Sequence, residues 1–240
     1  MPIRSRDEAP ARATEGSFDG LLASLAVTIE SDFRHPPLSV SVAALEAHFA
    51  ASLDADAKRS PLRNPHHEPL VTSRERARAV AASVLIPVVQ RSEGPTLVLT
   101  RRHEQISYPG HICFPGGRAD AADRDAVATA LREANEEIDL APEKVRVIGR
   151  LGEYVSHSGY RITPILGVIE PPLALRAAPG EVEEILEIPL AHVLDARAYR
   201  LESFPSEPPR GYFVLEWEGA RVTGPTIGIL MGFYEALLGS

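Results

Sequence analysis

Three glutamates stand close together in the stretch Ala130 to Ile138, which reads Ala-Leu-Arg-Glu-Ala-Asn-Glu-Glu-Ile. Glu133 and Glu137 are four residues apart and Glu133 and Glu136 three apart, so on a helix the three carboxylates crowd one side. Like charges at those spacings repel. Either solvent screens them or a cation sits among them, and a hard divalent ion that prefers oxygen ligands, Mg²⁺ or Mn²⁺, is the natural occupant. Arg132 lies four residues before Glu136, near enough to orient it through a charge-assisted hydrogen bond. Just upstream stands Phe114-Pro115-Gly116-Gly117. Paired glycines let backbone approach a ligand closely and can turn a carbonyl toward a metal or an amide toward a phosphate. Strand, Gly-Gly turn, short loop and carboxylate helix together supply what a metal-assisted phosphoryl hydrolysis needs.

Three arginines, Arg101, Arg102 and Arg118, flank the glycine turn and are candidates for bidentate phosphate contacts. His103, His111 and His157 lie near the same region, and His66-His67 lies upstream, but isolated histidines are more often structural or surface groups than ligands. Cys113, the single cysteine, sits beside the glycines as a small buried apolar group rather than a reactive thiol. No G-x-S-x-G elbow, G-x4-G-K-(S/T) loop or H-E-x-x-H helix occurs, which sets aside serine-hydrolase, P-loop and zinc-protease chemistry.

The elements that must hold these residues follow from periodicity. Val127, Leu131, Ala134 and Ile138 share one helical face, predicting a helix over about 125–138 with its apolar side opposite the carboxylates. β-Branched runs bounded by turn residues predict strands at Val80 to Val89, Thr96 to Thr100, His111 to Phe114, Val145 to Leu151, Arg161 to Ile169 and Tyr212 to Trp217. A second helix, about 226–238, ends the pattern. One long helix among six strands disfavours a repeating βα barrel and favours an α/β fold with a mixed sheet flanked by helices. Before this, residues 1 to about 17 carry no apolar period. Leu22, Leu25, Ala26 and Ile29, then Leu45, Phe49 and Leu53, predict two short amphipathic helices. A proline-punctuated connector with Pro61, Pro65 and Pro69 follows. The division expected is residues 1–70 as tail, two helices and connector, and 71–240 as the main domain. Helices that short are stable only when packed against the core or a second subunit, which makes a homodimer the expected assembly.

At 240 residues the chain has room for one large domain and an extension. With 44% hydrophobic and 24% charged residues it can bury a sizeable core. The 25 basic and 33 acidic side chains leave a net charge of −8, which disfavours nucleic-acid or anionic-membrane partners and requires cations to mediate contact with an anionic substrate. One cysteine, a charged amino terminus and no apolar run approaching roughly 20 residues lead to the expectation of a cytoplasmic protein with no transmembrane segment.

Gly117 to Leu140 resembles the Nudix box, G-x5-E-x7-R-E-U-x-E-E-x-G-U with U aliphatic. Arg132, Glu133, Ala134, Glu136, Glu137 and Leu140 fall on the pattern. The spacing from Gly117 to Arg132 is one residue longer, the first Glu is represented by Asp123 or Asp125, and Asp139 replaces the final Gly. Asp enters the left-handed region readily, so Asp139 can still end the helix. Leu99-Thr100-Arg101-Arg102, Gly110 and Phe114-Pro115-Gly116-Gly117 are similar to the signature of the coenzyme A pyrophosphatase branch, L-L-T-x-R-(S/A)-x3-R-x3-G-x3-F-P-G-G. His103 replaces the small residue, the segment to Gly110 is one residue short, and no Arg lies between Arg102 and Gly110. Ser158 to Pro164 and Gly228-Ile229-Leu230 also resemble that branch, and the likeness extends over roughly 77–238.

The resemblance implies a Nudix-like α/β/α sandwich and hydrolysis of the pyrophosphate of coenzyme A or its derivatives to 3′,5′-ADP and 4′-phosphopantetheine. Glu133, Glu136, Glu137 and the Gly117 carbonyl would hold Mg²⁺ or Mn²⁺, and Arg101, Arg102, Gly116, Gly117 and Arg118 would bind the substrate. Glu136, Arg132 and Glu181 would be the catalytic set. Glu181 is included because the acidic run Glu181-Val182-Glu183-Glu184 lies where the branch carries a further carboxylate. Two other readings compete: a Nudix pyrophosphatase for another nucleotide conjugate, such as ADP-ribose or NADH, and a ligand-sensing module without catalysis. The retained Glu133, Glu136 and Glu137 argue against the second, since a sensor has no need of mutually repelling carboxylates.

Overall fold

A computed structural model describes residues 37–50, 52, 73–156, 158–204 and 210–238. The helix expected around Leu22 to Ile29, the proline connector, His66-His67 and His157 lie outside the described residues. In chain order the elements are α1 (Val42–Phe49), α2 (Ser73–Arg78), β1 (Val80–Val89), β2 (Thr96–Arg102), β3 (Ile112–Cys113), β4 (Gly116–Arg118), α3 (Ala126–Ile138), β5 (Val145–Arg150), β6 (Tyr154–Val155), β7 (Tyr160–Ile169), β8 (Val182–Pro189), α4 (Leu190–Val193), β9 (Tyr199–Phe204), β10 (Arg210–Trp217), β11 (Ala220–Val222) and α5 (Gly224–Leu238).

β1 and β7 run parallel and paired along their whole lengths, Val80 with Tyr160 through Val89 with Ile169. Both are nearly continuous apolar runs because both faces are covered. Alternation divides them. Leu85, Val89, Val98, Ile165 and Ile169 point to one face and pack under Ala130, Ala134 and Ile138 of α3. Ile86, Val88, Leu97, Leu99, Leu166 and Val168 point to the other, where α5, α1 and the small antiparallel sheet of β9, β10 and β11 cover them. The result is the mixed sheet flanked by helices that the sequence pattern predicts, in the α/β/α sandwich that the resemblance implies.

The feature that shapes the site is a fork. β1 and β2 pair only at Val88 with Leu97 and Val89 with Thr96. Beyond that they separate, and the segment Ile112 to Arg118 fills the opening. β3 pairs with β2 through Thr100 and Arg101, and β4 pairs with β1 at Ala82, Ser83 and Val84. Thr226 of α5 donates to the Ile112 carbonyl at 3.0 Å, anchoring this inserted segment from behind.

Several expected boundaries move. Strand structure reaches Arg102 in β2 and begins at Tyr160 in β7, while β4, β6, β8, β9 and β11 have no counterpart among the six predicted strands. β8 escaped the pattern because Glu183, Glu184 and Glu187 interrupt its apolar residues. Two of these charges are paired, Glu184 with Arg101 on β2 and Glu187 with Arg91 in the turn between β1 and β2. Packing also runs across the division expected near residue 70. Leu45 and Phe49 of α1 are fully buried in the main cluster, and Phe49 stacks on Phe233 of α5 with centroids 6.0 Å apart. Ser52 accepts from the Arg150 amide at 3.0 Å, and the Leu38 amide donates to the Leu194 carbonyl at 2.9 Å. A helix of eight residues gains its stability from such packing, and here it packs on its own chain. No helix among the described residues is long and apolar enough to cross a membrane.

Candidate active site

α3 starts where Asp125 caps it, its carboxylate accepting from the Ala128 amide at 2.8 Å. It stops at Asp139, whose φ of 56° and ψ of 31° place it in the left-handed region, with the Leu140 amide reaching back to the Ala134 carbonyl. Asp139 therefore does what the box's glycine would do. The two candidates for the box's first carboxylate also separate. Asp125 is the cap, whereas Asp123 accepts two hydrogen bonds from Arg132, Nε at 3.0 Å and Nη2 at 2.9 Å.

Arg132 is the hub. Besides Asp123 it donates from Nη1 to Glu133 at 3.0 Å and to Glu136 at 2.9 Å, and from Nη2 to the Arg118 carbonyl at 3.0 Å. Five donated bonds exhaust the guanidinium, so Arg132 positions other groups and has no donor left for a substrate. Asp123 is held well below the usual carboxylate range, first by the Arg132 hydrogen bonds and then by the Asp120 amide. The Arg132 guanidinium is correspondingly more basic than an isolated arginine, Asp123 contributing most.

Gly116 and Gly117 press against α3 and β1. The Gly116 amide donates to Glu137 at 3.1 Å. Gly116 has φ of 156°, and a Cβ there would collide with the Ser83 carbonyl and with Val84. A Cβ on Gly117 would meet the Glu133 carboxylate at 2.5 Å. No side chain fits between this turn and the carboxylates.

Glu137 is buried, and its carboxyl is pushed up to about 7, chiefly by desolvation, with the Gly116 amide and Arg102 opposing and Glu133 and Glu181 adding to the rise. Glu133 is raised as well, again first by burial, with Arg132 opposing and Glu136 and Glu181 contributing. Glu136 is exposed. Four carboxylates thus act on one small region against two guanidiniums. The turn Ala178 to Glu181 is tied to the end of α3 by the Ala178 amide, which donates to the Glu137 carbonyl at 2.9 Å. Glu181, itself exposed, is held there as the His103 amide donates to its carbonyl at 2.9 Å.

The arginines differ in disposition. Arg102 acts electrostatically on Glu137 and donates to the Ser107 carbonyl at 2.8 Å. Arg101 is ion-paired with Glu184 at 2.9 Å on the adjacent strand. Arg118 is exposed at the end of β4. His103 accepts from the Gln105 amide at 3.2 Å, and His111 lies beside the Tyr108 ring. Cys113 has its thiol raised by burial and shares a contact of 3.3 Å with the Thr100 hydroxyl, as a packed and inert thiol would. The tie between Asp123 and Arg132 is one that spacing alone did not select, because a nine-residue loop-to-helix separation has no period.

The donor set suits a hard divalent cation: carboxylates in excess, one of them buried, beside a turn that carries no side chain. As the side chains stand, no three of His, Cys, Asp or Glu among the described residues converge closely enough to enclose a metal. The reason is visible in the bonding, since Arg132 holds Glu133 and Glu136 while Glu137 turns to the Gly116 amide. A common cation would require these side chains to leave their present partners.

The NUDIX domain family model matches residues 79–216, more than half of the chain. A Nudix hydrolase NudL of Photorhabdus laumondii, described as uncharacterized, is 44% identical over 119 residues, covering 49% of this chain and 63% of that protein. The Escherichia coli K12 NudL, likewise described as uncharacterized, is 39% identical over 160 residues, covering 66% of this chain and 83% of its own. Among solved structures, a MutT/nudix family protein from Enterococcus faecalis overlays with a TM-score of 0.42 at 13% identity, covering 71% of this chain and 64% of that one. The NUDIX domain of Shewanella oneidensis NrtR, complexed with ADP ribose, gives 0.39 at 16%, covering 52% and 82%. These overlays are too partial to bear on substrate. The family model and the extent of the NudL likeness carry the assignment: this chain belongs to the Nudix family.

Proposed function

We propose that this protein hydrolyses the pyrophosphate of coenzyme A or its derivatives, yielding 3′,5′-ADP and 4′-phosphopantetheine, in the cytoplasm and with Mg²⁺ or Mn²⁺. The observation that carries the chemistry is the buried Glu137 beside Glu133 and Glu136, facing the side-chain-free Gly116-Gly117 turn. Glu133, Glu136, Glu137 and the Gly117 carbonyl would hold the metal, which supplies charge neutralisation to the pyrophosphate oxygens and acidifies an attacking water. Arg132 bonds both Glu133 and Glu136 from one nitrogen, which keeps the two carboxylates together beside the turn until a metal would take them over. Arg102, whose charge reaches Glu137, attracts the substrate phosphates, joined at the rim by Arg118 and, when it leaves Glu184, Arg101. Glu181, exposed and within electrostatic reach of Glu133 and Glu137, is the group free to accept a proton from water. The coenzyme A assignment rests on the segment from Leu99 to Gly117.

The test incubates the purified protein with Mg²⁺ or Mn²⁺ and coenzyme A, acetyl-CoA, ADP-ribose and NADH, resolving products by chromatography, with Glu136→Gln and metal-free controls. Adenosine bisphosphate and phosphopantetheine appearing only with metal and Glu136 is the expected result. Cleavage of ADP-ribose or NADH in place of coenzyme A overturns the substrate assignment and leaves the metal chemistry standing. No cleavage across the panel moves the sensing module ahead.

A further inference from the structure

The loop joining β2 to β3, residues 103–111, carries Tyr108 in an unusual state. Its side chain is 58% exposed, one of two large hydrophobic residues so exposed among the described residues. Its φ of 59° is in the left-handed region, which a bulky residue rarely enters, and Pro109 follows it, which further restricts its backbone. Strain of this kind persists only where the surroundings over-determine it. Here they do. The Arg102 amide donates to the His111 carbonyl and the Gly110 amide to the Arg102 carbonyl, each at 2.9 Å, and the His111 amide reaches the Tyr108 carbonyl at 3.4 Å. Arg102 itself grips the loop from inside, its Nε donating to the carbonyl of Ser107, the residue before Tyr108.

A loop fastened this firmly presents its aromatic ring to solvent in a fixed place. The Tyr108 and His111 rings lie 5.7 Å apart and tilted at 57°, two exposed aromatic edges forming one corner. That corner is joined to the carboxylate site by backbone bonds, since the His103 amide at the start of the loop donates to the Glu181 carbonyl at 2.9 Å and the turn bearing Glu181 is bonded through the Ala178 amide to the Glu137 carbonyl at 2.9 Å. Arg102 bonds the Ser107 carbonyl at 2.8 Å, so a pyrophosphate that it contacts would lie beside the Tyr108 corner. Flat aromatic surfaces without fixed hydrogen-bond partners suit one kind of group, a planar base.

We infer that Tyr108, supported by His111, is the stacking surface for the nucleobase of the substrate and so sets preference for a base-bearing pyrophosphate. This rests on the proposed pyrophosphatase reading and adds the recognition of its nucleoside half. Removing the ring weakens base binding and leaves the hydrolytic carboxylates untouched.

The experiment compares wild type with Tyr108→Ala, Tyr108→Phe and His111→Ala in two measurements. The first is steady-state hydrolysis of coenzyme A with Mg²⁺. The second is calorimetric binding of 3′,5′-adenosine bisphosphate, which has the base, and of 4′-phosphopantetheine, which lacks it. Tyr108→Ala is expected to raise KM, and to weaken adenosine bisphosphate binding, by about 5- to 100-fold, the range of base–aromatic stacking. Its kcat and its phosphopantetheine affinity stay within twofold, and Tyr108→Phe behaves like wild type. The inference is overturned if Tyr108→Ala keeps KM and adenosine bisphosphate affinity within twofold, if both products lose affinity equally, or if wild type binds no adenosine nucleotide. Should wild type bind adenosine bisphosphate through Tyr108 yet cleave no pyrophosphate, the stacking surface stands and the hydrolytic reading falls.

Discussion

Two adjacent glycines make opposite demands, and alanine at each should separate stability from chemistry. A Cβ at Gly116 would strike backbone, the Ser83 carbonyl and Val84 Cα, as well as Val84 Cγ1 at 2.8 Å, and the positive φ strains any L side chain. β4 must then move off β1, weakening the pairing of Ala82, Ser83 and Val84 and the bond of 2.9 Å from the Leu85 amide to the Pro115 carbonyl. Backbone strain and one or two lost hydrogen bonds together cost about 2–4 kcal/mol. For a domain of this size that lowers the melting temperature by roughly 5–15 °C. At Gly117 the added Cβ meets only the Glu133 carboxylate, at 2.5–2.6 Å, the far end of a side chain that can swing aside. Gly117→Ala should cost less than about 1 kcal/mol of stability. It should nevertheless push the Glu133 carboxylate away from the turn where it would share a cation with the Gly117 carbonyl, and raise the Mg²⁺ concentration needed for half-maximal turnover, tenfold or more being the scale for disturbing a ligand's support. Thermal melting monitored by circular dichroism, with metal titrations of the hydrolysis rate, reads both. Gly116→Ala melting with wild type, or Gly117→Ala losing as much stability as Gly116→Ala, refutes the reasoning.

Glu136→Gln should cut kcat by about a hundredfold or more without lowering the melting temperature, since Glu136 is exposed; steady-state kinetics and a melt check both halves. Phe49→Ala should destabilise the protein by about 3–5 kcal/mol in denaturant titration, because Phe49 is fully buried against Phe233; a negligible change would mean that α1 does not belong to the core. Glu187 is held below its ordinary value first by the Arg91 hydrogen bond and also by Thr96, so its contribution to stability is complete above the unfolded carboxylate pKa and is lost as pH falls through the lower folded one. Glu187→Gln should therefore lower stability at neutral pH and flatten the decline in denaturation midpoint below about pH 5. Cys113, its thiol raised by burial, should react with a disulfide reagent at pH 8 far more slowly in folded than in unfolded protein.

Much of this site was legible because it is local. The 3.6-residue period places Glu133, Glu136 and Glu137 on one side of α3, and the apolar residues that pack it down interleave with them, so helix and chemistry come from the same thirteen residues. Asp139 at the helix end and the glycine turn are backbone preferences of single residues, equally visible in the chain. β1 and β7 could be read because their later halves are buried on both faces and run Leu85 to Val89 and Ile165 to Ile169 without a polar side chain.

β8 could not be read, because its Glu184 is matched by Arg101 on β2 and its Glu187 by Arg91 in the turn between β1 and β2, and partners more than eighty residues away leave no period in the strand. The same holds for Asp123, chosen over Asp125 by the reach of the Arg132 guanidinium, and for Glu181, delivered to α3 by a turn hydrogen-bonded to the Glu137 carbonyl. Leu45 and Phe49 form an amphipathic turn that would suit its own core or a second subunit; it is the open face left by β5 and α5 that receives them. Residue identity and local spacing determined which groups could bind a cation and phosphates. Which of them share a space, and which are already spent on each other, depended on contacts between segments far apart in the chain, where burial and hydrogen-bond reach, not sequence interval, select the partner.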